Sequence, residues 1–269
     1  CVSCKGCKRE CPTGVDMARL KVEATAQYKA RRGHTLRDRL VAYLPRYAAW
    51  AAELAPVVNV LQRLPLRETF AGLSARRRLP EWHRHPFTDR PRTLTGGREV
   101  ALFIDTFNRY FEPENARAAL RVLEAAGYRV HIAEPLEDDR PLCCGRTFLA
   151  AGMPEKAREE ASRLLEGMKR FVAMRIPVIG LEPSCLFSLR DELPALLPGE
   201  DAEALSRHAM LLEEFLAREA DSGRLDLRLR PLGRPVVLHG HCHQKAFGAM
   251  PAVERVLRLI PELDLRTVE

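Results

Sequence analysis

The chain opens with Cys1-Val2-Ser3-Cys4-Lys5-Gly6-Cys7-Lys8-Arg9-Glu10-Cys11-Pro12, four cysteines in the spacing C-x2-C-x2-C-x3-C-P. Cysteines three apart on a tight loop place their sulfurs around one cavity, and backbone N–H groups of the turns then face an anionic group held there. Zinc sites usually take two separated pairs of ligands, and disulfide frameworks belong to small secreted domains. The run therefore predicts a [4Fe–4S] cluster site. Its candidate ligands are Cys1, Cys4, Cys7 and Cys11.

The fourth cysteine of the run has two alternative roles. In two-cluster ferredoxins the last cysteine of such a run binds the neighbouring cluster, which has a run of its own. No second run occurs in the 269 residues, and the chain begins on the first ligand without a Met. We therefore expect an internal piece of a longer protein, in which Cys11 serves either this cluster or one upstream.

Composition limits the class of protein and its partners. The chain is 46% hydrophobic, and 43 Lys and Arg against 36 Asp and Glu give a formal net charge of +7. We interpret the basic balance as a solvated surface and expect no nucleic-acid partner, because the aromatic-studded basic motif of RNA-binding platforms is missing. The eight cysteines suit metal ligation in the reducing cytoplasm better than disulfides. Peripheral association with the inner face of a membrane stays open.

Residues 1–64 are predicted to form a helical, ferredoxin-type segment around the cysteine run. Asp16 is a good N-cap for a helix that ends at Gly33. Helical periodicity continues over residues 36–64, with breaks near two prolines. This last stretch could lie on a membrane surface or beside a quinone, but its few charges favour helices packed on the neighbouring domain.

Residues 65–98 form a basic linker rich in arginine and proline, and residues 99–269 form an α/β domain in which strands alternate with helices. Val100–Ile104 is a continuous apolar run, typical of a strand buried on both faces. The fold class is α+β overall, and the α/β domain has a mostly parallel sheet. Further strands are predicted at residues 128–133, 177–181, 235–239 and 263–268, and helices at about 113–126, 155–173, 185–193, 201–220 and 252–259.

The remaining thiols follow three of these strands. They lie beyond the carboxyl ends, where open parallel sheets bind ligands. A single cysteine is more often a small buried hydrophobe, but this recurrence favours a shared metal or redox site. Thiolate and imidazole together suit zinc, iron or a second iron–sulfur cluster. The candidate ligands of this second site are Cys143, Cys144, Cys185, Cys242, His241 and His243.

The α/β domain also shows a faint internal duplication. A strand, a polar loop, a helix and a second strand precede Cys143-Cys144-Gly145, and the same order begins again at residue 235. The second copy stops at Glu269, before the corresponding doublet is reached. We expect the domain to be truncated here, with a second Cys-Cys-Gly just beyond the last residue.

Together these motifs resemble the iron–sulfur, cysteine-rich (CCG) part of FAD-linked 2-hydroxy-acid dehydrogenases, which oxidise D-lactate, D-2-hydroxyglutarate or glycolate. They are also similar to glycolate oxidase iron–sulfur subunits and to the CCG-containing subunits of anaerobic glycerol-3-phosphate dehydrogenase and heterodisulfide reductase. The resemblance spans nearly the whole chain. It rests on the cysteine run with Gly14-Val15-Asp16, and on Asp105-Thr106-Phe107-Asn108, Cys143-Cys144-Gly145-Arg146, Glu182-Pro183-Ser184-Cys185 and His239-Gly240-His241-Cys242-His243-Gln244-Lys245.

The resemblance implies that a FAD domain, upstream in the same chain or on a separate subunit, oxidises the hydroxy acid to a keto acid. Electrons would then leave singly through [4Fe–4S] clusters to the cysteine-rich domain and on to a quinone or another acceptor. The four thiols of the second site fall on positions that ligate non-cubane clusters in the heterodisulfide reductase relatives. This chain departs from those relatives at two places, because Asp105-Thr106 and Glu182 stand where the relatives have cysteines. The assignment of a non-cubane cluster to this chain is weaker for that reason.

Two other functions stay open at the level of sequence. One is a heterodisulfide-reductase-like protein that performs thiol–disulfide chemistry at Cys143 and Cys144. The other is a zinc-stabilised interaction module without catalysis. No G-x-G-x-x-G follows a strand, so hydride removal is not assigned to these residues.

Overall fold

The computed structural model describes residues 1, 3–64, 68, 72–74, 76–93 and 96–268. Its first part is helical, as predicted. Asp16 accepts hydrogen bonds from the N–H groups of Ala18 and Arg19, and Gly33 (φ 77°) ends the helix that Asp16 caps. Prolines stand in the first turn of two later helices, where a missing N–H costs nothing. The helices are α1 (Gly6–Glu10), α2 (Met17–Arg32), α3 (Leu36–Ala42), α4 (Leu44–Glu53) and α5 (Ala55–Arg63).

A four-stranded sheet forms the centre of the second part. Its strands are β1 (Glu99–Phe103), β2 (Arg129–Ile132), β3 (Val178–Gly180) and β4 (Ala209–Leu211). The strand order is β2-β1-β3-β4, and every pairing in it is parallel. Val100 to Ile104 are at most 1% exposed, which confirms the buried strand expected from that apolar run.

Helices cover both faces of this sheet and confirm the α+β fold class. One face carries Leu164, Phe171, Leu186 and Leu205, and the other carries Leu120, Leu123 and Phe215. The helices are α6 (Thr106–Tyr110), α7 (Pro113–Ala125), α8 (Arg146–Ala150), α9 (Pro154–Ala173), α10 (Pro183–Arg190), α11 (Glu192–Leu196), α12 (Glu200–His208), α13 (Leu212–Asp221), α14 (Cys242–Ala246) and α15 (Met250–Leu257).

Two predicted helices were wrong in detail. The expected helix over residues 201–220 is two helices separated by β4, because Ala209-Met210-Leu211 continues the helical apolar spacing while pairing with β3. The expected helix over 185–193 begins earlier, with Pro183 in its first turn, and ends at Arg190. Three residues of strand are too few to produce a period that sequence reasoning could recognise.

A second, two-stranded sheet repeats the first half of the larger one. The parallel strands β5 (Pro235–His239) and β6 (Asp264–Val268) enclose α14 and α15, just as β1 and β2 enclose α6 and α7. In both copies a helix of five residues precedes a helix with proline in its first turn. This is the arrangement that the duplication predicted.

The predicted linker over residues 65–98 lies partly outside the described residues, since 65–67, 69–71, 75, 94 and 95 are not among them. In its described part, Trp82 and Phe87 are 6% and 1% exposed. The N–H of Phe87 donates to the carbonyl of Arg109, so this part is bound along α6. The boundaries at 64 and 98 stay predictions.

Within the described residues, no helix combines the length and the apolar character that crossing a bilayer requires.

Candidate functional site

The cysteine run forms a tight loop that leads into α1. Ser3 and Lys5 have left-handed backbone conformations (φ 58° and 65°), which turn the chain sharply on both sides of Cys4. A Cβ added at Gly6 would lie 3.6 Å from Cys4 Sγ, in van der Waals contact with the sulfur. The four cysteines of the run carry no disulfide; Cys1 is exposed and the other three are half-buried.

The chemistry of this donor set fits an iron–sulfur cluster. The Thr13 hydroxyl, 3.1 Å from Cys11 Sγ, lowers the pKa of Cys11, and so do the backbone N–H groups of Val15 and Thr13. A thiolate is the form that ligates iron, and soft thiolates are the ligands of such clusters. Within the described residues, no group of three or more His, Cys, Asp or Glu has metal-holding geometry. The four ligands therefore stay a prediction supported by donor chemistry.

A buried lysine anchors the loop. Lys5 is 3% exposed, and its Nζ lies 2.9 Å from Asp16 Oδ2, 2.5 Å from Asp191 Oδ2 and 3.4 Å from Glu192 Oε1. Burial would lower the pKa of Lys5, but the three carboxylates raise it above its usual value, so the ammonium stays charged. Because Asp191 lies between α10 and α11 and Glu192 begins α11, these ion pairs hold the cysteine run on the α/β domain.

Arg146, which follows Cys143-Cys144-Gly145, joins the cysteine run to the histidine loop. Its Nη2 donates to the carbonyl of Ser3 at 2.8 Å and lies 2.7 Å from His243 Nε2. Its Nη1 donates to Glu192 Oε1 at 3.1 Å. Three separate parts of the sequence therefore converge on one guanidinium.

The same convergence places α14 beside the cysteine run. His243 is 6% exposed, and burial, followed by Arg146 and His241, lowers the pKa of His243 to about 4. The imidazole is thus neutral at neutral pH. A guanidinium can only donate, so Nε2 accepts and the proton of His243 lies on Nδ1. Among the described residues that buried Nδ1 has no hydrogen-bond partner.

Three buried thiols form a second group at the carboxyl edge of the larger sheet. Cys144 shares hydrogen bonds with Cys143 and Cys185. The bond with Cys144, together with burial, raises the pKa of Cys143 well above its usual value. The bond to Cys144 lowers the pKa of Cys185, but burial and the nearby carboxylates of Asp105 and Glu182 raise it to about 11 overall. At neutral pH these thiols are protonated, and a bound metal cation would have to displace the protons.

Asp105 and Glu182, the departures from the cysteine pattern, are helix caps. Asp105 accepts from the N–H groups of Phe107 and Asn108, and Glu182 accepts from the N–H of Ser184. Burial raises the pKa of Asp105 above that of an ordinary aspartate. Each of these two carboxylates therefore stabilises the helix start that follows a strand.

The six residues predicted for the second site fall into two groups. Cys143, Cys144 and Cys185 lie together, whereas His241, Cys242 and His243 belong to α14 or its N-cap, with Cys242 exposed. Their assignment to one metal stays a prediction, since the described residues include no metal-holding group. Sequence reasoning missed the anchoring role of Lys5, Asp191 and Glu192. The only signal for it was a lysine between two candidate ligands.

The fold and these contacts define a class, an α+β protein whose cysteine run is docked on a thiol-containing parallel-sheet domain. The chain is 30% identical over 268 residues to the subunit designated C of anaerobic glycerol-3-phosphate dehydrogenase of Escherichia coli (strain K12), with 96% of this chain and 66% of that protein covered. It is 23% identical over 239 residues to D-2-hydroxyglutarate dehydrogenase of Pantoea ananatis (strain AJ13355), with 81% of this chain and 23% of that protein covered. The same enzyme of Escherichia coli (strain K12) matches at 23% identity, with 82% of this chain covered.

No protein-family model and no solved structure matches the chain. The chain spans just under two thirds of the glycerol-3-phosphate dehydrogenase relative and about a quarter of the D-2-hydroxyglutarate dehydrogenases. These relatives confirm the resemblance predicted from the motifs: the chain is homologous to this glycerol-3-phosphate dehydrogenase subunit and to the D-2-hydroxyglutarate dehydrogenases. By their names the relatives belong to dehydrogenases, which supports the broad class of oxidoreductase component for this chain.

Proposed function

We propose that this chain is the electron-transfer iron–sulfur module of a FAD-dependent dehydrogenase that oxidises a 2-hydroxy acid to a keto acid. The observation that carries the proposal is the cysteine run, held on the thiol-containing domain by Lys5 and Arg146. Bound at Cys1, Cys4, Cys7 and Cys11, a [4Fe–4S] cluster would supply one-electron transfer. The flavin belongs to an upstream domain or a separate subunit, and the acceptor is a quinone or another oxidant.

The chain's own residues prepare the loop for an anionic group. Lys21 donates to the carbonyl of Cys1 at 2.8 Å, and Lys8 pairs with Asp191 at 3.0 Å. Arg9 donates to the carbonyl of Lys245, which ties the run to α14. Lys21 and Arg9 place positive charge beside the run, which offsets part of the negative charge of four thiolates. Lys5 is fully paired, so its role is to hold the loop in place.

A glycerol-3-phosphate dehydrogenase with its flavin on a separate subunit is the second candidate. It is favoured by the 30% identity over 96% of this chain to the glycerol-3-phosphate dehydrogenase relative, against 23% over 81% for a D-2-hydroxyglutarate dehydrogenase. For either candidate we propose a location in the cytoplasm or at the inner face of the membrane. The thiols and imidazoles of the second site are proposed to hold zinc or a further cluster.

The two candidates are separated by the full-length protein purified anaerobically with its flavoprotein partner. D-lactate, D-2-hydroxyglutarate, glycolate and sn-glycerol 3-phosphate are supplied in turn, and EPR records reduction of the cluster. The proposal expects a signal with a 2-hydroxy acid, and a signal with sn-glycerol 3-phosphate alone selects the second candidate. A Cys7→Ser variant should lose this signal while the flavin is still reduced, and a Ser222→Ala control should keep it. Failure of all four compounds to reduce the cluster would refute both candidates.

A further inference from the structure

A cleft of about 710 Å³ lies between residues 87–93 and the edge strand β2. Arg109 of α6 and Arg170 of α9 also line it, so four parts of the chain contribute to it. We call it the arginine cleft. The mechanism proposed above uses none of these residues. Its cationic lining consists of Arg90, Arg92, Arg109, Arg129, Arg170 and His131.

The charges of the arginine cleft do not balance. Five arginines line it, but only two carboxylates, those of Asp89 and Glu134. Asp89 is already bound, because Arg117, which is outside the cleft, donates to it at 2.7 Å. Within the cleft a surplus of positive charge therefore faces solvent.

Outside carboxylates compensate only part of that surplus. Arg92 pairs with Glu124 at 3.6 Å, and Arg129 pairs with Glu99 at 3.0 Å. Within the part of the chain that the structure describes, the other three arginines form no ion pair. These three are Arg90, Arg109 and Arg170. Exposed Arg90 and Arg170 are hydrated by solvent, so the unusual member is Arg109.

Arg109 is a half-buried cation with too few hydrogen-bond partners for its guanidinium. Its Nη1 donates to the carbonyl of Phe87 at 3.0 Å, but its buried Nε has no partner among the described residues. Burial lowers the pKa of Arg109, and Tyr110, Glu134 and Asp105 offset this only in part. A half-buried guanidinium with one partnerless nitrogen is unfavourable unless an anion completes its hydrogen bonds.

We propose that the arginine cleft binds a small molecule that carries two or more oxyanion groups, with Arg109 as the central contact. The planar guanidinium matches carboxylate and phosphate groups, and several arginines converge in one concavity. The volume is that of a small-molecule site. Since β2 is an edge strand, an acidic peptide is the competing occupant, but a concave site in which unpaired arginines surround half-buried Arg109 favours the small molecule.

Isothermal titration calorimetry on the full-length protein at low ionic strength tests this proposal. The probes are citrate for carboxylates, tripolyphosphate for phosphates, and a glutamate oligopeptide for the competing occupant. We expect saturable binding of citrate or tripolyphosphate, and the tighter of the two identifies the oxyanion. Arg109→Gln should weaken it at least ~10-fold, because one central bidentate contact is lost. An Arg207→Gln control, at an exposed position of α12, should bind as the wild type does.

The folding of each variant is checked by circular dichroism. If Arg109→Gln does not fold, the double variant of the exposed residues, Arg90→Gln with Arg170→Gln, takes its place with the same expected loss. Absence of saturable binding for both small probes would overturn the proposal. So would equal affinity in the cleft variant and the Arg207→Gln control, or tighter binding of the oligopeptide than of either small probe.

Discussion

Lys5 is a buried cation between two predicted cluster ligands, and carboxylates from two parts of the chain surround its ammonium. Asp16 belongs to the helical segment, whereas Asp191 and Glu192 belong to the α/β domain. Removing one member of a buried ion-pair network leaves the others uncompensated, and that loss exceeds the gain from forming the pairs. We therefore assign Lys5 the role of positioning the cysteine run.

The first prediction concerns this lysine. Lys5→Met should lower the free energy of unfolding by about 3 kcal/mol, because Asp191 and Glu192 lose their buried partner. The control is Lys8→Met, which removes a 46% exposed lysine that also pairs with Asp191. This control should lower the free energy of unfolding by less than about 1 kcal/mol. Urea unfolding under anaerobic conditions measures both. Equal losses in the two variants would contradict the anchoring role.

A second residue, Glu219, links stability to pH. It is 2% exposed and accepts hydrogen bonds from Tyr128, Arg98 and Arg224. Burial alone would raise the pKa of Glu219, but these hydrogen bonds lower it from 4.5 to about 2. Because the folded-state pKa lies below the unfolded-state pKa, the stabilisation is present above pH 4.5 and is lost as the pH falls toward 2.

Wild type and Glu219→Gln should therefore differ most in free energy of unfolding at about pH 6, and the difference should shrink below about pH 4.5. Urea unfolding across this range provides the measurement. Glu203→Gln, at a 64% exposed carboxylate, serves as the control and should show little difference at any pH. A Glu219 difference that is constant with pH would show that its carboxylate is not held ionised by the three donors.

At the scale of elements, Gly145 explains the glycine of the Cys-Cys-Gly motif. It has φ 78°, and an added Cβ would lie 2.9 Å from the Ala157 carbonyl oxygen and 3.2 Å from Ala157 Cα. The turn that carries Cys143 and Cys144 thus packs directly on the backbone of α9. Glycine is required there both by its left-handed conformation and by the close approach of the helix.

Gly145→Ala should lower the free energy of unfolding by roughly 3 kcal/mol or more, since conformational strain and overlap with α9 add. Gly127→Ala separates the two causes, because Gly127 has the same φ of 78° with nothing within 4 Å of an added Cβ. That control should cost about 1 kcal/mol, the strain alone. Thermal unfolding of both variants is the measurement. Similar losses would mean that α9 yields to the added methyl group.

Much of the element order was predictable because its signals are local. Asp16 and Gly33 mark the two ends of α2, and the apolar run from Val100 marks β1. The strand β4 was not predictable, because its three residues depend on pairing with β3 for their conformation. The candidate ligands could be named from the sequence as a set of cysteines and histidines, and their assignment to a metal or cluster stays a prediction. The docking of the cysteine run on the α/β domain could not be predicted from the sequence. It depends on contacts between distant residues, such as the hydrogen bond from Arg146 to Ser3, which are 143 residues apart.

At the scale of the whole molecule, the helical segment and the α/β domain share their packing. Ala48 and Ala51 of α4 pack with Trp82 and Tyr110. Ala42 of α3 lies in another cluster with residues of α8. The fully buried carboxylate of Glu160 receives hydrogen bonds from Arg46, Arg140 and Arg163.

Glu160→Gln should lower the free energy of unfolding by about 3 kcal/mol, because three half-buried arginines lose their shared anion. The substitution should also make residues 76–93, in the described part of the predicted linker, more sensitive to limited proteolysis. The neighbouring Glu159→Gln, at a 49% exposed carboxylate that also pairs with Arg46, should cost less than about 1 kcal/mol. Unchanged proteolysis in Glu160→Gln would contradict a role for this carboxylate in joining the two parts.

The central claim, that the cysteine run holds an iron–sulfur cluster, is tested most directly by chemical analysis of iron, acid-labile sulfide and zinc. The full-length protein and its Cys4→Ser variant are purified and reconstituted anaerobically. We predict that the wild type carries about four iron and about four sulfide more per chain than the variant does. Equal iron and sulfide in the two proteins, or zinc without iron in the wild type, would contradict the claim.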